Sequence, residues 1–124
     1  MMAQDNGLYY LLVQSNQQGM IMSDVKLIFD EMHNRYQPGK IDSELTYYFS
    51  IGSFKYTLFA KPDGCEVTEG KATSNADCVL VTEPKIFTNL VLHGKQPGKM
   101  DIMRGKFKVS SLPNLMKLQE LFRF

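Results

Sequence analysis

The first sustained pattern along the chain is helical. Val25, Ile28, Phe29, Met32 and Tyr36 recur at the spacing of a single helix face. Ser23 carries a side-chain oxygen of the kind that caps a helix start, Asp24 suits the positive end of the helix dipole, and Gln37-Pro38-Gly39 stops the run. The spacing therefore predicts an amphipathic helix of about three turns beginning at Ser23. Upstream, residues 1–22 are rich in Gln and Asn around Tyr9, Tyr10 and Leu11-Leu12-Val13. They read as an arm or short helix packed on a domain that spans residues 23–124.

The period then drops to two. Leu45, Tyr47, Phe49 and Ile51 alternate with Thr46, Tyr48 and Ser50, and Phe54, Tyr56, Leu58 and Ala60 alternate with Lys55, Thr57 and Phe59. Gly52-Ser53 between them suits a two-residue hairpin turn with glycine first. Pro62-Asp63-Gly64 marks a second reversal, followed by strands through Cys65, Val67 and Glu69 and through Cys78 to Val81. The middle of the chain is thus expected to be an antiparallel meander.

Helical spacing returns at Ile86, Phe87, Leu90 and Val91, with Thr82 as the expected cap, Pro84 in the first turn and Gly94 as the closing residue. A short turn containing Met100 and Met103 leads to a fifth strand over 106–110. Ser111 and Pro113 then start a last helix, on which Leu115, Leu118 and Phe122 form one line that Met116 and Leu121 widen. The order predicts an α+β fold with helices on one face of a five-stranded, mainly antiparallel sheet.

Composition narrows the function classes. A chain of 124 residues with 44% hydrophobic and 22% charged residues is globular and of single-domain size, and a net charge of +1 argues against a dedicated nucleic-acid binder. The apolar run from Leu8 to Val13 is too short for a signal peptide or a membrane span. A cytoplasmic protein with Cys65 and Cys78 free is the expectation, with a disulfide the alternative. Two cysteines and two histidines do not make a four-ligand zinc site, so no metal is expected. No nucleophile elbow, phosphate-cradling glycine loop, dinucleotide fingerprint, HExxH or paired CxxC occurs. His33 and His93 are the available general bases, and nothing pairs Asp63, Glu66, Glu69 or Asp77 as acid and base.

A group of methionine, phenylalanine and leucine residues lies in elements late in the chain that must meet in space. Phe87, Met100, Met103, Phe107, Met116, Leu121 and Phe122 all lie in the last 42 residues. Methionine is polarizable and adapts to irregular apolar shapes. Composition by itself does not separate a packed core from a lined cavity.

From about Leu45 onward the chain resembles the sterol carrier protein 2 lipid-binding domain family. The resemblance is carried by Ile51-Gly52 before a hairpin, Glu69-Gly70 at a strand end, and Ala76-Asp77-Cys78-Val79-Leu80 leading into a proline-containing helix. It continues through Leu92-His93-Gly94-Lys95, the stretch from Met100 to Val109, and the closing run from Leu115 to Phe122. The helix from Ser23 also falls where the family has one. Where many members have a glycine and an acidic residue after the last strand, this chain has Ser110-Ser111. The terminal Leu121-Phe122-Arg123-Phe124 lacks the Ser-Lys-Leu peroxisomal address of eukaryotic members, so a stand-alone, prokaryotic-type cytoplasmic member is expected.

The resemblance implies a sheet and helices enclosing an apolar tunnel for a fatty acid, acyl-CoA, sterol-like or isoprenoid lipid, with no catalysis and no cofactor. On that reading Phe87, Leu90 and Val91 face the tunnel from one helix. Phe107, Met116, Leu118 and Phe122 line it from the closing elements, and Met100 and Met103 lie near its mouth. The near-neutral charge hides an asymmetry: residues 1–82 hold six basic and ten acidic residues, net −4, and residues 83–124 hold eight and three, net +5. Lys95, Lys99, Arg104, Lys106 and Lys108 would surround the mouth and meet an anionic membrane or the phosphates of an acyl-CoA. The expected partners are a long-chain lipid and, transiently, a membrane surface, with the protein a monomer or weak dimer. The alternatives are an interaction or dimerisation module, an accessory factor in isoprenoid quinone biosynthesis, and a small acyl-thioester enzyme using His93 or Cys78.

Overall fold

Each apolar position predicted for the first helical face is buried: Val25, Ile28, Phe29, Met32 and Tyr36. The computed structural model describes residues 17–123. Helix α1 runs Gln17–Arg35, so Ser23 lies inside it rather than capping it. Between Gln17 and Ser23 only Gly19 is a poor helix former, which lets the helix extend toward the N-terminus past the expected cap. The remainder of the expected N-terminal arm, residues 1–16, lies outside the described residues. On the solvent side of α1, Lys26 pairs with Asp30 at 3.4 Å and Arg35 with Glu31 at 3.6 Å, each one turn apart. Such exposed pairs contribute only a few tenths of a kcal/mol, so burial of the apolar face is what holds the helix in place.

Strands β1 (Leu45–Ile51) and β2 (Phe54–Lys61) form the expected hairpin, with Ile51 opposite Phe54. Gly52 adopts φ 60° there and Ser53 does not have a positive φ, the arrangement of a two-residue turn with glycine first. Strand β3 (Gly64–Glu69) returns along β2 after Pro62-Asp63. The meander ends at that point. Strand β4 (Cys78–Thr82) does not extend it but lies on the other side of β1, parallel to it, in a register from Tyr47 opposite Cys78 to Ile51 opposite Thr82. Strand β5 (Phe107–Val109) adds to β4 antiparallel, giving the order β3-β2-β1-β4-β5. The sheet is therefore mixed, with the parallel pairing at its centre. Alternation identifies a strand and its buried face, but it does not say which neighbour the strand takes.

Residues 70–77 make the crossing that places β4 there. Thr57, which points away from the helices, donates its hydroxyl to the Gly70 carbonyl (2.8 Å) and accepts from the Ala72 amide (2.9 Å). Lys71 Nζ sits 5.4 Å from the centroid of the Tyr48 ring. The Asp77 amide donates to the Thr46 carbonyl, and the Thr46 amide to Asp77 Oδ2, both at 2.8 Å. The segment thus straps the outward face of the sheet and buries Thr57 completely, with its polar atoms satisfied.

Helix α2 (Pro84–His93) is closed by Gly94 at φ 63°, as expected. Its N-cap is Glu83 rather than Thr82, because Thr82 is the last residue of β4 and its hydroxyl donates to the Lys106 carbonyl at 2.8 Å. Helix α3 (Lys99–Met103) follows, and then α4 (Leu112–Leu121), whose N-cap Ser111 accepts from the Asn114 amide at 3.3 Å. Leu115, Leu118 and Leu121 are the buried positions of α4. Met116 is 59% exposed, so it does not widen the buried stripe. Phe122 has left the helix and makes an extended bridge with Tyr36.

Inner-face residues of β1 and β2 meet α1 and α2 around Phe29. Its ring stacks on Tyr56 at 4.0 Å and on Phe87 at 5.5 Å, and meets Phe49 edge-on at 5.1 Å. Phe29→Ala is expected to remove about 3–5 kcal/mol of stability, read as a lower urea midpoint with an unchanged slope. A loss below about 1 kcal/mol would contradict this account of the core.

Candidate functional site

Helix α4 is tied at both ends. At its start the Tyr47 hydroxyl donates to the Asn114 carbonyl at 2.7 Å, and Asn114 Nδ2 donates to the Asp77 carbonyl at 3.3 Å. At its end the Gln37 amide donates to the Leu121 carbonyl (2.7 Å), the Arg123 amide donates to the Arg35 carbonyl (3.1 Å), and the Tyr36 and Phe122 rings meet at 5.3 Å. A helix pinned in this way does not slide sideways to fill every gap beside it. A cavity of about 280 Å³ remains between α2 and α4, floored by Leu80 of β4 and Met32 of α1. Phe87, Leu90, Val91 and Gly94 line it from α2 and its cap, Leu115, Leu118 and Gln119 from α4, and Gln96 and Phe122 complete it.

Five of the residues expected to line a tunnel come together here: Phe87, Leu90, Val91, Leu118 and Phe122. The other four do not. Met100 and Met103 are exposed on α3, Met116 faces solvent from α4, and Phe107 is buried in β5 outside the lining. Met32 and Leu115, placed by periodicity on buried helix faces, also line the cavity but were not among the residues expected to do so. Nothing in the sequence pointed to Gln96 or Gln119, whose place depends on how α2 and α4 approach each other. Lys95, Lys99, Arg104 and Lys108 are exposed and Lys106 is half-buried, and none of them lines the cavity.

Among the described residues the lining holds no ionisable side chain, and its polar side chains are the amides of Gln96 and Gln119. Such a surface favours apolar chains, with neutral hydrogen-bonding groups at its edge. Cys78 is buried beneath α4, its Sγ 3.5 Å from the Ser111 carbonyl, and burial pushes its thiol up, away from the thiolate that a nucleophile needs. Burial likewise raises the Cys65 thiol, and both cysteines are free. Partial burial raises the Asp24 carboxyl, and the charge of His93 works in the opposite direction. His33 and His93 are exposed. Among the described residues no cluster of His, Cys, Asp and Glu could hold a metal ion, and no helix is long and apolar enough to cross a membrane.

Buried Tyr47 is raised well above its ordinary 10.0 and Cys78 above its ordinary 9.0, so the folded state keeps both protonated where the unfolded chain ionises. Their contribution to stability is full below about pH 9 and declines as the pH rises through that value and beyond. The urea midpoint should fall between about pH 8 and about pH 10.5, and Cys78 should be alkylated in the native protein only as fast as the fold opens. Equal midpoints, or prompt alkylation of Cys78, would count against the burial described here.

No protein-family model matches the sequence, and no curated protein matches it. Solved structures do share its shape. The chain superposes on the sec-alkylsulfatase Pisa1 from Pseudomonas sp. with a TM-score of 0.66 and 15% identity, covering 79% of this chain and 16% of that one. It therefore corresponds to a small part of that enzyme. With a protein described as UbiJ-SCP2, a ubiquinone synthesis protein, the TM-score is 0.52 at 11% identity, over 84% of this chain and 93% of that one. With the sterol carrier protein domain 2 of Helicoverpa armigera it is 0.50 at 16% identity, over 86% and 88%. The mixed five-stranded sheet with helices on its inner face is therefore the sterol carrier protein 2 fold, in agreement with the family resemblance of the sequence.

Proposed function

We propose that this protein is a non-enzymatic lipid-binding protein that holds a single apolar chain in the cavity between α2 and α4. The observation that carries this reading is the cavity itself, lined by aliphatic and aromatic side chains and free of charge, with two amides at its edge. Its volume of about 280 Å³ stands just below the roughly 300–1,000 Å³ of small-molecule pockets. That size favours one acyl or isoprenyl chain over the rigid ring system of a sterol. About ten buried methylenes at roughly 0.8 kcal/mol each would give about 8 kcal/mol, a micromolar ceiling before ordering costs. Such affinity suits a carrier that must release its ligand. The free thiols of Cys65 and Cys78 fit a reducing compartment such as the cytoplasm.

A second reading concerns the ligand. The near-complete mutual coverage with a ubiquinone synthesis protein favours an accessory role in which an isoprenoid quinone precursor occupies the same cavity. Lipid analysis of the purified protein separates a fatty acyl chain from an isoprenoid one.

Titration with a fluorescent fatty acid, together with native mass spectrometry after exposure to lipid extract, tests the proposal. One lipid per chain is the expected result. Val91→Trp fills the space between α2 and α4 from a half-buried position, and should weaken binding by about tenfold or more with little change in the melting midpoint. Wild-type protein that retains no lipid, or a tryptophan variant that binds as wild type, would overturn the assignment of this cavity.

A further inference from the structure

We infer that α3 and the basic residues around it form a docking element for an anionic lipid bilayer. Helix α3 buries none of its residues. Met100 is 55% exposed, Ile102 51% and Met103 78%, so most of this short helix presents apolar side chains to solvent. The segment is nevertheless well defined by its backbone. The Gly98 amide donates to Asp101 Oδ2 at 3.2 Å, the Lys106 amide to the Asp101 carbonyl at 2.8 Å, and the Gly105 amide to the Ile102 carbonyl at 3.1 Å. Hydrogen bonds thus hold three large apolar side chains in water on one short helix, whereas among the described residues the exposed large apolar side chains of the other helices, Leu27, Leu92, Leu112 and Met116, number one or two to a helix. An exposed apolar group of this kind marks a contact surface.

Charge identifies the occupant. From Lys95 to Lys108 the chain carries five cations (Lys95, Lys99, Arg104, Lys106 and Lys108) and one acid, Asp101, whose carboxylate is turned back onto the Gly98 amide. An apolar tip flanked in sequence by long basic side chains matches a bilayer, where methionine and isoleucine enter the acyl region and lysine and arginine stems reach back to anionic headgroups. The flexible thioethers of Met100 and Met103 adapt to disordered lipid without a preformed complementary pocket. Gln96, at the edge of the cavity, precedes Lys99 by three residues, so docking through α3 brings the cavity edge toward the membrane. The docking element rests on the lipid-carrying reading only for what it delivers or collects there. Its exposure and charge stand independently of the cavity.

Flotation with vesicles of phosphatidylcholine alone, and of phosphatidylcholine mixed with phosphatidylserine, provides the test. Wild-type protein should float with the mixed vesicles and be released at high salt, and should bind phosphatidylcholine weakly. The triple variant Met100→Ser, Ile102→Ser, Met103→Ser and the double variant Lys99→Glu, Arg104→Glu should each lose about tenfold or more in partitioning. Both should keep the wild-type melting midpoint and, without vesicles, the wild-type affinity for a fluorescent fatty acid, since none of these residues lines the cavity. Absence of wild-type binding, binding indifferent to salt, or variants that bind as wild type would overturn the inference. So would a wild-type dimer that the serine variant converts to a monomer, because the patch would then serve self-association. Vesicle binding by a protein that retains no fatty acid would leave the docking element standing and remove the carrier reading alone.

Discussion

The burial of Phe29 against Tyr56, Phe49 and Phe87 is the contact on which the rest of the molecule depends. It joins α1 to β1, β2 and α2, elements separated by long stretches of chain. Without it the sheet would have one covered face in pattern only. Aromatic rings suit this junction because each buries a large area with few rotatable bonds, and their edge-on and stacked contacts fix the angles between the elements they join. Helices α1 and α2 can then be positioned accurately even though the surface ion pairs of α1 add little.

The cavity follows from what that junction does not reach. Helix α4 is located by separate contacts at its two ends, Tyr47 with Asn114 at one and the Tyr36–Phe122 bridge with its flanking amides at the other. Between these anchors its separation from α2 is set by the scaffold, and the side chains there do not close the space. A packed interior normally leaves few voids larger than a water molecule. A cavity of about 280 Å³ lined by leucine, valine and phenylalanine, with no charge to hydrate, is therefore a property of the architecture. It asks for an apolar occupant.

Two apolar features with different surroundings thus lie near one another along the chain. The cavity is a half-open cleft with an uncharged lining, while α3 is external and flanked in sequence by cations. The first suits a lipid tail, which needs exclusion of water and little polar readout. The second suits the surface of the phase in which such lipids are stored. The same methionine-rich stretch would serve a carrier poorly inside the cavity, where flexible side chains would fill the volume the ligand needs. Outside, that flexibility is useful.

How much of this was legible in the sequence depends on the range of the interaction. Helical and strand periods report which side chains share a face, so Val25 to Tyr36, the β1–β2 hairpin at Gly52 and the Gly94 and Ser111 helix ends could be read directly. Phe87, Leu90, Val91 and Leu118 were recognisable as inward-facing, and Phe122 as part of the same apolar line. The parallel pairing of β1 with β4 was not, because it rests on the strap at residues 70–77 finding Thr57, Tyr48 and Thr46, contacts that leave no local period. Nor could composition sort the methionines: Met32 belongs to the cavity, whereas Met100, Met103 and Met116 face solvent. Local sequence determined the elements and their apolar faces, since these follow from backbone geometry and solvent exclusion over a few residues. Tertiary structure alone decided which faces meet and where they stop meeting, because the cavity is the space left between elements pinned by distant partners.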